Sequence, residues 1–129
     1  MALMDLYKTK VFARWAGKEK LSDDALCRAI REAADGLIDA DLGGGLIKKR
    51  VAAEGRGKRG SYRTLIAFRC GRHAVFLYGF GKNERATIDD KETQALKLLA
   101  KQFLAFEKME IQTAVQKGVL IQVQCDGET

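Results

Sequence analysis

Eleven lysines and arginines fall between residues 46 and 88: Lys48, Lys49, Arg50, Arg56, Lys58, Arg59, Arg63, Arg69, Arg72, Lys82 and Arg85. Only Glu54 and Glu84 oppose them, so this segment carries +9, while residues 1–45 sum to −1 and residues 89–129 to −2. The net charge of +6 is therefore one basic block on a near-neutral frame. Such a block aims a local field at a polyanion, most commonly a phosphate backbone. If short loops bring Lys48, Arg50, Arg63, Lys82, Asn83 and Arg85 to one rim of a sheet, the rim can do more than bind. Each cation disfavours protonation of its neighbour, so a crowded lysine can accept a proton from a ribose 2′-hydroxyl. An arginine can offset the added negative charge of five-coordinate phosphorus, and another cation can assist the leaving 5′-oxygen. The product would be a 2′,3′-cyclic phosphate. The plainer alternative is a set of cations that grips RNA, DNA or an acidic partner without cleaving it.

Other chemistries are poorly served. His73 is the only histidine, which excludes a two-histidine ribonuclease, and it reads as a solvated turn residue. No cluster of His, Cys, Asp or Glu has metal-ligand spacing, and no cofactor is expected. Gly55, Gly57 and Gly60 have the bare G-x-G-x-x-G spacing, but the run leads into a predicted strand rather than from a strand into a helix, so it is no dinucleotide fingerprint. Cys27, Cys70 and Cys125 are odd in number and far apart. They form no disulfide framework, and a reducing, cytoplasmic setting is expected.

The elements that must position the cations follow from patterning. Residues 6–14 alternate weakly and read as a strand. A helix is expected from Ser22, a cap followed by two acids, to Gly36. Residues 46–52 form a strand with Ile47, Lys49 and Val51 on one face and Leu46, Lys48 and Arg50 on the other. Residues 53–61 are a glycine-rich basic loop. Residues 62–69 and 74–80 pair as a hairpin whose second, almost wholly apolar strand is central and covered on both faces. Asp89 and Glu92 resemble a capping box opening a helix with Leu98, Leu99, Phe103 and Phe106 on its apolar face. A second helix covers about 107–117, and 119–123 is a last short strand. The class is α+β, a small mainly antiparallel sheet with helices packed on it, in one domain over residues 1–129. Hydrophobic content of 47% and charged content of 31% are those of a globular chain. The N-terminus lacks a signal-peptide layout, and no apolar run is long enough for a membrane helix.

Three pieces of sequence carry a resemblance: LGGGLIKKRVA (42–52), the G-x-G-K-x-G-x-Y-R-T loop and strand (55–64), and YGFGKNER (78–85). With the flanking helices they resemble the RelE/ParE superfamily of toxins of type II toxin–antitoxin modules, closest to the RelE-like or HigB-like branch. The resemblance implies helices on an antiparallel sheet, and a metal-free mRNA endonuclease (mRNA interferase) that cuts messages on the ribosome and arrests translation. It implies a cognate antitoxin as partner, and operator DNA only through the complex with it. Carried over by position, it implies catalytic roles for Lys48, Arg50, Arg63 and Lys82. RNA contacts would come from Lys49, Arg56, Lys58, Arg59, Asn83 and Arg85. The sequence departs from RelE in having Asn83 after the lysine and no aromatic near Asp89. Members of the ParE type instead poison gyrase, so a binding toxin is the alternative.

Overall fold

The chain leaves its first strand, β1 (Leu6–Thr9), directly into a helix, α1 (Lys10–Lys18). The expected strand over residues 6–14 is thus cut short. The Thr9 hydroxyl accepts from the Phe12 N–H at 3.1 Å. Phe12, Trp15 and Ala16 then share a helical face turned to the core. A second helix, α2 (Asp23–Ala34), starts where expected, with Ser22 accepting from the Ala25 N–H at 3.2 Å and Asp23 and Asp24 in its first turn. The computed structural model describes residues 5–52, 61–69, 72–81 and 89–125.

Four strands follow: β2 (Ala40–Gly43), β3 (Leu46–Ala52), β4 (Ser61–Phe68) and β5 (Ala74–Phe80). Helices α3 (Asp90–Ala105) and α4 (Lys108–Gln116) and the strand β6 (Leu120–Gln122) complete the chain. The Asp89–Glu92 capping box is formed, with Asp89 accepting from the Glu92 N–H at 2.8 Å. The strand β2 is not among the elements expected from patterning. It is tied to β3 by a turn through Gly43, Gly44 and Gly45. At Gly45 the backbone is left-handed, and a Cβ would strike the Leu104 side chain.

The sheet order is β2-β3-β4-β5-β1-β6, antiparallel except for the β1–β5 pair. This is an α+β fold with helices on both faces. Helices α1 and α2 cover one core, with Phe12, Leu26, Ile66 and Phe76. Helices α3 and α4 cover the other, with Leu46, Leu65, Val75 and Phe103. Strand β5 lies inside the sheet and is buried on both faces, as its apolar sequence requires. Phe103 belongs to the core, but Leu98, expected there, is 66% exposed on the outer side of α3.

One close approach locks α1 to the sheet. The Trp15 ring lies over Gly79 of β5, so that a Cβ there would overlap it. Gly79→Ala should therefore cost about 1–3 kcal/mol by overpacking. The check is a lowered Tm together with altered emission from Trp15, the only tryptophan.

The end of the described chain is strapped onto α2. Asp23 accepts from the Gln124 N–H at 2.9 Å and pairs with Lys8 at 2.8 Å. One turn further along α2, Cys27 is joined to Cys125 in a disulfide across 98 positions of sequence. This corrects the expectation of unpaired thiols. Far spacing carries no information on pairing until the fold brings the ends of the chain together. Cys70 lies outside the described residues.

Two members of the basic block and its hairpin turn also serve the fold. Arg72 Nη2 donates to the Leu104 carbonyl at 2.9 Å, and His73 Nε2 lies 2.6 Å from the Phe103 carbonyl. Both meet carbonyls of the last turn of α3, where the Phe103 carbonyl also accepts from the Phe106 N–H at 3.2 Å. His73 is therefore no solvated turn residue. Its ring stands edge-on to Tyr7, whose phenol burial, helped by the charge of Asp5, pushes above the usual range. A raised value means stability that is complete below pH about 10 and declines as pH rises through the folded value. Alkaline titration of Tyr7→Phe should lack that component.

Candidate functional site

The antiparallel register builds the site row by row. Arg50 of β3 is opposite Arg63 of β4, and Arg63 is opposite Phe80 of β5. In the next row Lys48 is opposite Leu65, and Leu65 is opposite Tyr78. Opposed residues point to the same side of a sheet, with Cα atoms roughly 4.5–5.5 Å apart. Lys48, Arg50, Arg63 and Tyr78 therefore share the face that α3 covers further along the strands. Neither Lys48 nor Arg63 has an ion-pair partner among the described residues. Arg50 Nε approaches Asp39 at 3.8 Å with its own side chain 55% exposed, which offsets its charge little.

Tyr78 reaches this face through an irregularity. Ile66 pairs with Phe76 and Leu65 with Tyr78, so Leu77 is an extra residue on β5. The bulge puts Leu77 and Tyr78 against the same core and transfers the next residues to the opposite phase. Strict alternation would have left Tyr78 beside Phe76, under α1 and α2. Sequence reasoning therefore misses Tyr78 as a site residue. The one available signal is its hydroxyl on an otherwise apolar strand. Tyr78 also lines a cavity of about 210 Å³ with Glu92, Ala95 and Leu96 of α3.

Lys49 is placed elsewhere. It points to the α2 face, is 6% exposed, and donates to Glu32 at 2.8 Å. Paired there, it ties β3 to α2 and stands on the other face of the strand from Lys48 and Arg50, although an RNA contact is expected of it. The alternation of β3 separates it from Lys48 and Arg50, although all three are adjacent in sequence. Lys49→Met should leave toxicity unchanged and shift stability by less than about 1 kcal/mol, because a side chain of similar volume fills the site and Glu32, 45% exposed, is left to solvent. Growth arrest on expression and a melting curve check both parts. Arg56, Lys58, Arg59, Lys82, Asn83 and Arg85 lie outside the described residues.

Over residues 4–123 the chain matches the family described as the RelE toxin of the RelE / RelB toxin–antitoxin system. The chain belongs to the RelE toxin family. It is thus a toxin of a toxin–antitoxin module, and an antitoxin is its partner. No match was found among the curated proteins. In this RelE-family chain no described helix is long and apolar enough to cross a membrane. Among its described residues no group of three or more His, Cys, Asp or Glu could hold a metal ion.

Proposed function

We propose that this RelE-family toxin is a metal-free, ribosome-dependent mRNA endonuclease of the RelE-like or HigB-like kind, acting in the cytoplasm on messages under translation. The observation that carries the reading is the Arg50–Arg63 pair, two like charges face to face with Lys48 one row away. Like charges directly opposite on a sheet weaken it by up to about 1 kcal/mol. A phosphodiester laid across the row would sit between the two charges, relieve their repulsion and turn that cost into affinity.

In this reading Lys48 is the general base that takes the proton of a ribose 2′-hydroxyl. The oxygen attacks the adjacent phosphorus, and the bond to the 5′-oxygen breaks. Arg63, with Arg50, meets the extra negative charge on the phosphoryl oxygens. The leaving 5′-oxygen takes a proton from a cation, a role that we assign to Lys82. The products are a 2′,3′-cyclic phosphate and a 5′-hydroxyl. The Tyr78 ring, on the same face, offers a surface for a base.

The test is 5′-end mapping of cellular mRNA after brief induced expression of wild type and Arg63→Ala. New ends inside translated frames, in register with codons and absent from the variant, are the expected result. Growth arrest without new ends would overturn the nuclease reading and point to a toxin that binds without cutting, with gyrase the next target.

A further inference from the structure

We infer that the hollow between α1 and the end of β5 is a second nucleotide site, which takes a base and phosphate of single-stranded RNA next to the nucleotide held at the Arg50–Arg63 row. The inference rests on the RNA reading of that row. The hollow exists because two strands end at different heights. The last pairing of β1 with β5 is Lys8 with Phe76, whereas β5 runs on to Phe80. Helix α1 turns across the gap and leaves a cavity of about 420 Å³ lined by Arg14, Trp15, Lys18, Tyr78, Gly79 and Phe80, among others.

The lining has the chemistry of a nucleotide site. Arg14 and Lys18 lie four residues apart on one helix, and neither has a hydrogen-bond or ion-pair partner among the described residues. Among the described residues no carboxylate lines the cavity. Trp15, Tyr78 and Phe80 supply aromatic surface. The Trp15 indole N–H is buried and has no acceptor among the described residues. Cations along a track with aromatic rings beside it are the recurring means of holding single strands.

Continuity with the proposed catalytic row favours RNA over an acidic protein segment. Phe80 lines the hollow and is opposite Arg63, which is opposite Arg50. Neighbouring strands lie roughly 4.8 Å apart, so the hollow opens about 10 Å from the backbone of Arg50. A strand crossing the row passes from β3 over β4 to the end of β5 and turns around that end, which β1 leaves open, to reach Arg14 and Lys18 on the side of the sheet that α1 covers.

The experiment uses the full chain and a single-stranded oligoribonucleotide of about eight nucleotides, within the usual span of such sites. Trp15 is the only tryptophan, so its emission reports on the hollow alone. The expected result is quenching of Trp15 on binding. The double substitution Arg14→Ser/Lys18→Ser should weaken binding about tenfold and make its logarithmic salt dependence shallower by about 1.4, the effect of two lost phosphate contacts. In Arg63→Ala, binding should weaken while the quench at saturation remains. Unchanged affinity and salt dependence in the double variant, with Arg63→Ala weakened, would overturn the second site and leave the RNA reading standing. So would a double variant that loses affinity for the antitoxin and not for RNA. Failure of the wild type to bind the oligonucleotide, or indifference of its affinity to Arg63→Ala, would overturn the RNA reading and the second site with it.

Discussion

Replacing Arg63 by alanine should abolish growth arrest while the protein still folds and still binds its antitoxin. The side chain is half-buried in the middle of its row, between Arg50 and Phe80, and no described group neutralises it. In the proposed reaction its charge is used when the phosphorus gains a fifth oxygen. Loss of one such preorganised donor typically lowers turnover by about 10²–10³-fold. Stability should rise slightly if it moves at all, because a cross-strand repulsion is removed. The measurement is the growth curve on induction, with co-purification of the antitoxin as the folding control. A fully toxic Arg63→Ala would remove this residue from the mechanism. A variant that no longer captures antitoxin would place Arg63 in the antitoxin interface instead.

Breaking the Cys27–Cys125 bridge, which spans 98 positions, should cost about 2–4 kcal/mol, the usual range for a disulfide. For a domain of this size that is roughly 10 °C in Tm. The strap would then be held by Asp23 and by the Val123 N–H donating to the Leu6 carbonyl at 2.9 Å. Melting curves with and without a reductant check the expectation. Wild type should shift downward on reduction, and Cys27→Ser should melt low in both. A wild type indifferent to reductant would mean that the strap is held by its other contacts. In a reducing compartment the two residues stand as facing thiols, and the lower melting point is the working one.

Much of the architecture is legible because local chemistry and tertiary packing agree. Ser22 followed by two acids, and Asp89 followed by Glu92, are complete instructions for a helix start, and both are formed. The alternation of β3 is enough by itself to put Lys48 and Arg50 on one face and Lys49 on the other. Charge still groups Lys49 with the RNA contacts, because a lysine in a basic run does not reveal a glutamate waiting on α2. Helix α1 reads as strand because LYKTKVFAR alternates weakly, and its cap, Thr9, is also the last residue of a strand. Leu98 keeps the helical spacing of a core residue but sits on the flank of α3 that nothing described covers. The bridge and the bulge are illegible for a common reason. Each depends on where two distant segments lie relative to one another, which no window of sequence contains.

The bulge at Leu77 gives β5 one residue more than its ladder with β4 uses. Deleting that residue would leave regular pairing, with Phe76 opposite Ile66 and Tyr78 opposite Leu65. Tyr78 would keep the face it shares with Lys48 and Arg63, Phe80 would stay in the Arg63 row, and Gly79 would still lie beneath Trp15. A one-residue gain or loss anywhere else in this strand would turn the side chains beyond it to the other face. At this one point the toxin can lose or regain a codon and stay armed.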